Sequence, residues 1–218
     1  MTQNRIDIIR ENYDRIADEY AERLFRELDG KPFDRGQLTR FAEAVKDRGT
    51  VCDMGCGPGH VARFLHDAGT KVFGLDLSPQ MIAQAQMLSP NIEFREGNML
   101  ALDLEDNTLV GITAFYAIVN IPAASLPVAF AEMHRVLQPG GLLLLAFHIG
   151  DEVIRPAELW GQPVSMEFYH LRPEKILSLL TEAGFAIEDA IEREPYAPDV
   201  EYQSRRAYVF ARKAAIQA

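Results

Sequence analysis

A chain of 218 residues is the length of one domain and can bury about 70% of the surface its unfolded form exposes. With 48% hydrophobic and 25% charged residues, it has the balance of an ordinary soluble globule rather than of a disordered or fibrous chain. A formal net charge of −10, against which the pair Arg205-Arg206 is too short a basic cluster, argues against a nucleic-acid partner.

The first twenty residues lack the apolar core of a signal peptide, and the longest apolar run, Leu142 to Phe147, is too short to cross a bilayer. A cytoplasmic protein without a membrane partner is expected. Cys52 and Cys56 are then free thiols. With His60 and His66 they spell C-x3-C-x3-H-x5-H, but a strand, a glycine turn and a helix would carry these four residues, so no metal site is expected.

Ile6, Ile9, Tyr13, Ile16, Tyr20 and Leu24 recur at three- and four-residue steps and predict an amphipathic first helix, stopped by Gly30 and Pro32. A second helix is expected over residues 37–48, with Leu38, Phe41, Ala42 and Val45 inward and Asp34 as its cap.

The stretch from Val51 to His60 reads as a short strand, a turn and the first residues of a helix. Gly55, Gly57 and Gly59 let the backbone take positive φ and approach a ligand closely, and Pro58 fixes φ just ahead of the helix. Free N–H groups and the positive end of the helix dipole then face whatever binds there. Asp53 lies inside the strand, where a carboxylate is wasteful in a simple core and argues for an amine or positive charge on the ligand. Asp76 ends the next apolar run, Lys71 to Leu75, at the position of a carboxylate that hydrogen-bonds a ribose diol.

Ser78-Pro79 is a helix start, a hydroxyl cap followed by proline at the first helical position, and Met81, Ile82 and Ala85 give that helix its buried side. A strand over residues 92–95 runs into Gly97, Asn98 and Met99, and Asp103 to Asn107 form a solvated loop. Leu109 to Phe115 is the fourth strand. It leads into Tyr116 and Asn120 at the carboxyl end of the sheet, where ligands collect in parallel folds.

A helix over residues 123–137 is expected to end at Pro139-Gly140-Gly141, with His134 in a structural role. Leu142 to Phe147, apolar on both faces, is a central parallel strand that delivers His148 to the ligand end. Residues 151–171 hold Trp160, Met166, Phe168, Tyr169 and His170, with Val164, Met166 and Phe168 alternating as in a short strand. Pro173 starts the last helix. Two strands, at residues 185–193 and 207–211, close the chain around a Pro-containing excursion.

Three motifs in order carry a family likeness: Asp53-x-Gly55-Cys56-Gly57-Pro58-Gly59, then Gly74-Leu75-Asp76-Leu77-Ser78-Pro79-x-Met81, then Arg135-Val136-Leu137-x-Pro139-Gly140-Gly141. Together they resemble the cofactor-binding core of class I S-adenosylmethionine-dependent methyltransferases. The resemblance implies an α/β, doubly wound, Rossmann-like sheet of seven mostly parallel strands, with a C-terminal antiparallel strand pair and an N-terminal helical lid. One domain is expected: the lid over residues 1–48, a cofactor core over 50–150, a substrate-capping insertion over 151–171, and a C-terminal helix and strand pair over 172–218.

It also implies that S-adenosylmethionine lies along Asp53, Gly55, Cys56, Gly57, Gly59, Asp76, Leu77, Met81, Gly97, Asn98 and Met99, with Asp76 at the ribose and Met81 and Asn98 near the adenine. Asn98 stands where the family often has Asp, so its carbonyl oxygen would accept the adenine amine's hydrogen bond with less charge assistance. Phe115 and Tyr116 complete the cofactor wall, while Tyr13-Asp14-x-x-Ala17-x-x-Tyr20 looks like the family's lid segment, its phenol rings over the cofactor.

The implied activity is methyl transfer to a small-molecule acceptor, lined by Asn120, Trp160, Tyr169 and His170, in a monomer or homodimer. His148 is the candidate base, because it ends a central strand and titrates near neutrality. The chain lacks the Asn-Pro-Pro-Tyr type of tetrapeptide that marks certain methyltransferases acting on macromolecular nitrogens. Two alternatives stay open: a nicotinamide-dependent oxidoreductase, disfavoured by the G-x-G-x-G spacing and by Asp53, and a non-catalytic protein that binds the same sulfonium cofactor.

Overall fold

The strands follow from apolar runs that only a sheet covered on both faces can bury. In the computed structural model, which describes residues 1–215, the core strands are β1 (Thr50–Met54), β2 (Val72–Asp76), β3 (Glu93–Glu96), β4 (Leu109–Phe115) and β5 (Leu137–His148). Four two-residue strands follow, β6 (Val153–Ile154), β7 (Glu158–Leu159), β8 (Gln162–Pro163) and β9 (Phe168–Tyr169), then β10 (Phe185–Arg193) and β11 (Arg206–Lys213). The main sheet runs β10-β11-β5-β4-β1-β2-β3. Its β5-β4-β1-β2-β3 half is parallel, and β11 lies antiparallel to both β5 and β10. The expected seven-stranded doubly wound sheet with a C-terminal antiparallel pair is thus the observed architecture. Positions 216–218 of the expected C-terminal segment lie outside the described residues.

Helices α1 (Gln3–Leu24), α2 (Pro32–Val45), α3 (His60–Asp67), α4 (Pro79–Leu88), α5 (Leu126–Val136) and α6 (Pro173–Glu182) cover the sheet. Phe130, Met133, Ile176 and Leu180 of α5 and α6 pack on one face, and Leu38, Phe41, Val61 and Leu65 of α2 and α3 pack on the other. A third cluster joins Ile16 and Ala17 of α1 to Met81 and to Val164 and Met166 of the insertion. Ser78 caps α4, its Oγ accepting from Met81 N at 3.1 Å, and itself donates to Asp14 Oδ1 of α1 at 2.6 Å. The first helix is thereby tied to the helix that follows Asp76. None of the described helices is long and apolar enough to cross a membrane.

The structure corrects four expectations. Pro32 does not stop the first helix but opens α2 at its first position, five residues before the expected start. Asp34 therefore lies inside α2 rather than capping it. It is buried, accepting from Tyr208 Oη at 2.9 Å and from Arg193 Nη2 at 2.8 Å. The Pro139-Gly140-Gly141 stretch falls within β5, where the register to β4 shifts, and α5 already ends at Val136. Val164 and Met166 form no strand. They are buried against α1, while the insertion is built from the β6–β9 and β7–β8 pairs.

Candidate active site

The turn after β1 owes its shape to its glycines. Gly55 has φ of +67°, and a Cβ there would lie 2.5 Å from that of Ala117, so any side chain would both strain the backbone and collide with the loop after β4. Gly55 N and Cys56 N donate to Leu75 O at 2.7 and 3.1 Å, locking the turn to the end of β2. One residue on, the Asp76 carboxylate accepts from Gly57 N at 2.8 Å and from Ser78 N at 2.9 Å. Burial raises the Asp76 pKa, and these backbone donors work against that shift.

Turn, strand ends and α1 enclose a cleft that is partly open to solvent. Of the expected cofactor residues, Tyr13, Tyr20, Gly55, Cys56, Gly57, Asp76, Leu77 and Met81 line it. Gly97, Asn98, Met99, Phe115 and Tyr116 complete that set, and the expected substrate residue Asn120 lines the cleft too. Tyr13 Oη donates to Asn120 Oδ1 at 2.7 Å, so the first helix closes over the mouth of β4. Asn98 turns its Oδ1 to Leu100 N at 2.9 Å, an Asx-type turn that leaves the side-chain amide free. Tyr116 holds φ of +53°, uncommon for a bulky residue, and its hydroxyl lies 3.2 Å from that of Tyr208 behind the wall.

Asp53 and Gly59 do not line the cleft. Asp53 points into the protein, accepting from Thr113 Oγ1 at 2.8 Å and from Ala62 N at 3.0 Å, and so clamps the first turn of α3 to β1 and β4. Gly59 is needed for packing, because a Cβ would stand 2.7 Å from the Phe94 ring. An acid that does line the cleft is Glu27, from the 3-10 turn after α1, together with His60. His60 Nε2 lies 2.9 Å from Glu27 Oε1, and Lys31 Nζ lies 2.5 Å from Glu27 Oε2. Although burial opposes it, the pairing with His60 and Lys31 brings the Glu27 pKa down to about 2. His60 Nδ1 is buried without a hydrogen-bond partner among the described residues. No local pattern marks Glu27; only its place in the fold does.

Burial pushes the Asp53 pKa up to about 6, against the Thr113 and Ala62 hydrogen bonds. A carboxyl with a raised folded pKa contributes stability that is present below its unfolded value and lost as pH rises through the folded one. Asp53→Asn should therefore gain relative to wild type by on the order of 2–3 kcal/mol between pH 4 and pH 7. Urea unfolding of both proteins across that range checks it. A stability difference independent of pH counts against the assignment.

His148, Trp160, Tyr169 and His170 do not line the cleft. The His148 ring sits behind Tyr116 at 4.8 Å between centroids and 5.5 Å from His170, and Nδ1 lies 2.7 Å from Ser204 Oγ. Burial, helped by the nearby Arg206 charge, pushes its pKa down to about 3, so it stays neutral at physiological pH. A strand end faces the ligand side of the sheet, but the bulk of Tyr116 stands between this histidine and the cleft. His170 shares that stack, and its Nδ1 lies 3.3 Å from Glu152 Oε2. Tyr169 instead bonds Glu167 and Arg5 outside the cleft.

Trp160 packs edge-on against Tyr20, with centroids 5.7 Å apart, and so acts on the cleft through the lid. Aromatic pairs of this kind contribute about 0.5–1.5 kcal/mol beyond their buried area. Trp160→Ala should accordingly weaken binding of S-adenosylhomocysteine by roughly 2- to 10-fold, read by calorimetry. Unchanged affinity would mean that Tyr20 needs no such support.

The model of the methyltransferase domain family matches residues 51–141, from β1 into β5. The malonyl acyl-carrier-protein O-methyltransferase of Pectobacterium atrosepticum is 32% identical over 139 residues, 57% of this chain and 54% of that protein. The demethylmenaquinone methyltransferase of Chlorobaculum tepidum is 30% identical over 151 residues, 67% of this chain and 60% of that one. The chain thus spans little more than half the length of the curated relatives it matches. Among solved structures, the chain paired with the Trm112 methyltransferase activator of Haloferax volcanii shares the fold. It has a TM-score of 0.73 at 19% identity and covers 96% of this chain and 99% of that one. Matched domain, glycine turn and sheet order agree: the stretch from β1 into β5 is similar to the methyltransferase domain and is built on the sheet that such domains share.

Proposed function

We propose that this protein binds S-adenosylmethionine in the cleft and transfers its methyl group to a small, largely apolar or aromatic acceptor. The charge of the cleft carries the reading. Among the described residues its lining holds the carboxylates of Asp76 and of Glu27, the latter paired with His60 and Lys31, and no arginine or lysine side chain, while Met1 lies at its edge. A wall of that sign favours a cationic ligand and repels the pyrophosphate of a dinucleotide. In this reading Asp76 would accept from the ribose diol, Asn98 would meet the base, and Glu27 with His60 would meet the charged amino-acid end, all three regions being part of the cleft lining. The residues present therefore fit the cofactor that the family implies.

Bound there, S-adenosylmethionine supplies a methyl group on a sulfonium, open to in-line displacement. The chain's own part is positioning and the exclusion of water. Tyr13, Tyr20 and Ile9 of α1 cover the site, and Asn120 and Ile121 border the side from which an acceptor enters. Alignment alone can supply up to roughly 7–11 kcal/mol of the barrier. His148 has no place in this scheme, because it stands behind Tyr116 and burial makes it a weak base. The malonyl acyl-carrier-protein and demethylmenaquinone enzymes among the relatives suggest acceptor classes to try first.

Titration calorimetry with S-adenosylhomocysteine and NADH, followed by label transfer from methyl-labelled S-adenosylmethionine to such acceptors, tests the proposal. Binding of NADH in preference to S-adenosylhomocysteine would overturn it.

A further inference from the structure

Beside the cleft lies a second groove of about 960 Å³, more open, between the start of α1 and the insertion. Ile9 and Asn120 line both, so a single layer of side chains separates them. Asn120 is buried and fixed from both sides: its Oδ1 accepts from Tyr13, and its Nδ2 donates to Glu167 O at 2.7 Å. Ile8, Pro156 and Met166 give the groove an apolar lining, while Arg5 and Arg155 bring two guanidinium groups to it. Both arginines pair with the one carboxylate there, Glu167, Arg155 Nη2 at 2.7 Å from Oε1 and Arg5 at Oε2.

Tyr169 Oη also donates to Glu167, so that the acceptor sites of this carboxylate are taken up. Arg5 engages only through Nη2, so its other donors remain free to bind. The groove carries two positive charges against one negative, on a chain whose net charge is −10 and next to a cleft whose charged lining is acidic.

We infer that this groove holds the tail of the acceptor, an apolar chain ending in a carboxylate or phosphate, while the acceptor's reacting atom reaches the cleft past Asn120. The inference rests on the methyl-transfer reading and names the substrate class for it. Guanidinium forks match both anions in geometry and charge. Ile8, Ile9 and Met166 would cover the chain between the two ends.

Calorimetry on the full chain saturated with S-adenosylhomocysteine tests this with octanoate, octyl phosphate and octanol as probes. Either anion should bind at least ten-fold tighter than octanol, and the tighter of the two identifies the head group. In the Arg5→Ala/Arg155→Ala variant the preference for anions should vanish while affinity for S-adenosylhomocysteine is kept. Glu167→Gln, which removes the competing carboxylate, should tighten octanoate several-fold, an effect no purely structural role produces. Octanol binding as tightly as both anions, or a preference that survives loss of both arginines, overturns the inference. Failure to bind S-adenosylhomocysteine would instead strike at the methyl-transfer reading, and the same three probes applied without it still decide the groove.

Discussion

Asp76→Ala should weaken binding of S-adenosylhomocysteine by roughly 10- to 150-fold, the equivalent of the 1.5–3 kcal/mol that a hydrogen bond to a charged acceptor contributes. The carboxylate has two tasks. One is the proposed bond to the ribose diol. The other is its acceptance of Gly57 N–H at 2.8 Å and Ser78 N–H at 2.9 Å, which holds the glycine turn against the start of α4. Asp76→Asn keeps one oxygen acceptor but loses the charge, so its deficit should fall between those of wild type and Asp76→Ala. Calorimetry on folded variants measures both. An alanine variant with unchanged affinity would take Asp76 out of the ribose site.

Asp34→Ala should cost about 3–5 kcal/mol of stability, the usual loss when one partner of a buried ion pair is removed. Asp34 is 1% exposed and takes Arg193 Nη2 at 2.8 Å and Tyr208 Oη at 2.9 Å. Arg193 also binds Glu201, which lies within 3.2 Å of the buried Arg206. Removing the carboxylate leaves a guanidinium and a phenol inside without an acceptor they had. The loss should appear as a lower urea midpoint with an unchanged slope. Adding Arg193→Ala to Asp34→Ala should cost less than the sum of the single variants, because the two groups share one network. Strict additivity would show that the pair does not couple. Since α2 and β11 flank Tyr116, this network also fixes the back wall of the cleft.

How far the sequence reached depended on whether a feature is local. The strands at Val51 and Leu109, the turn at Gly55 to Gly59, the Ser78 cap and the acid at Asp76 are set by neighbours a few residues away. Periodicity, positive φ and helix capping are short-range physics, so those elements were legible before any fold was known. Sheet order and most of the cleft lining followed from them, because parallel strands gather their ligand ends on one edge.

The orientation of a polar side chain was not legible in the same way. Asp53 turns away from the cleft because Thr113 and Ala62, distant or unremarkable in sequence, capture it, whereas the 3-10 turn carries Glu27 to His60 at the cleft wall. His148 ends the expected strand, but Tyr116 stands in front of it. Trp160 belongs to the insertion yet packs behind a lid tyrosine, and Arg5 meets Glu167 across 162 positions of chain. The sequence by itself determined the scaffold and the glycine turn that borders the cleft. The tertiary structure alone decided which acids face the cleft and what lies beside it, because those contacts depend on long-range packing that no local pattern records.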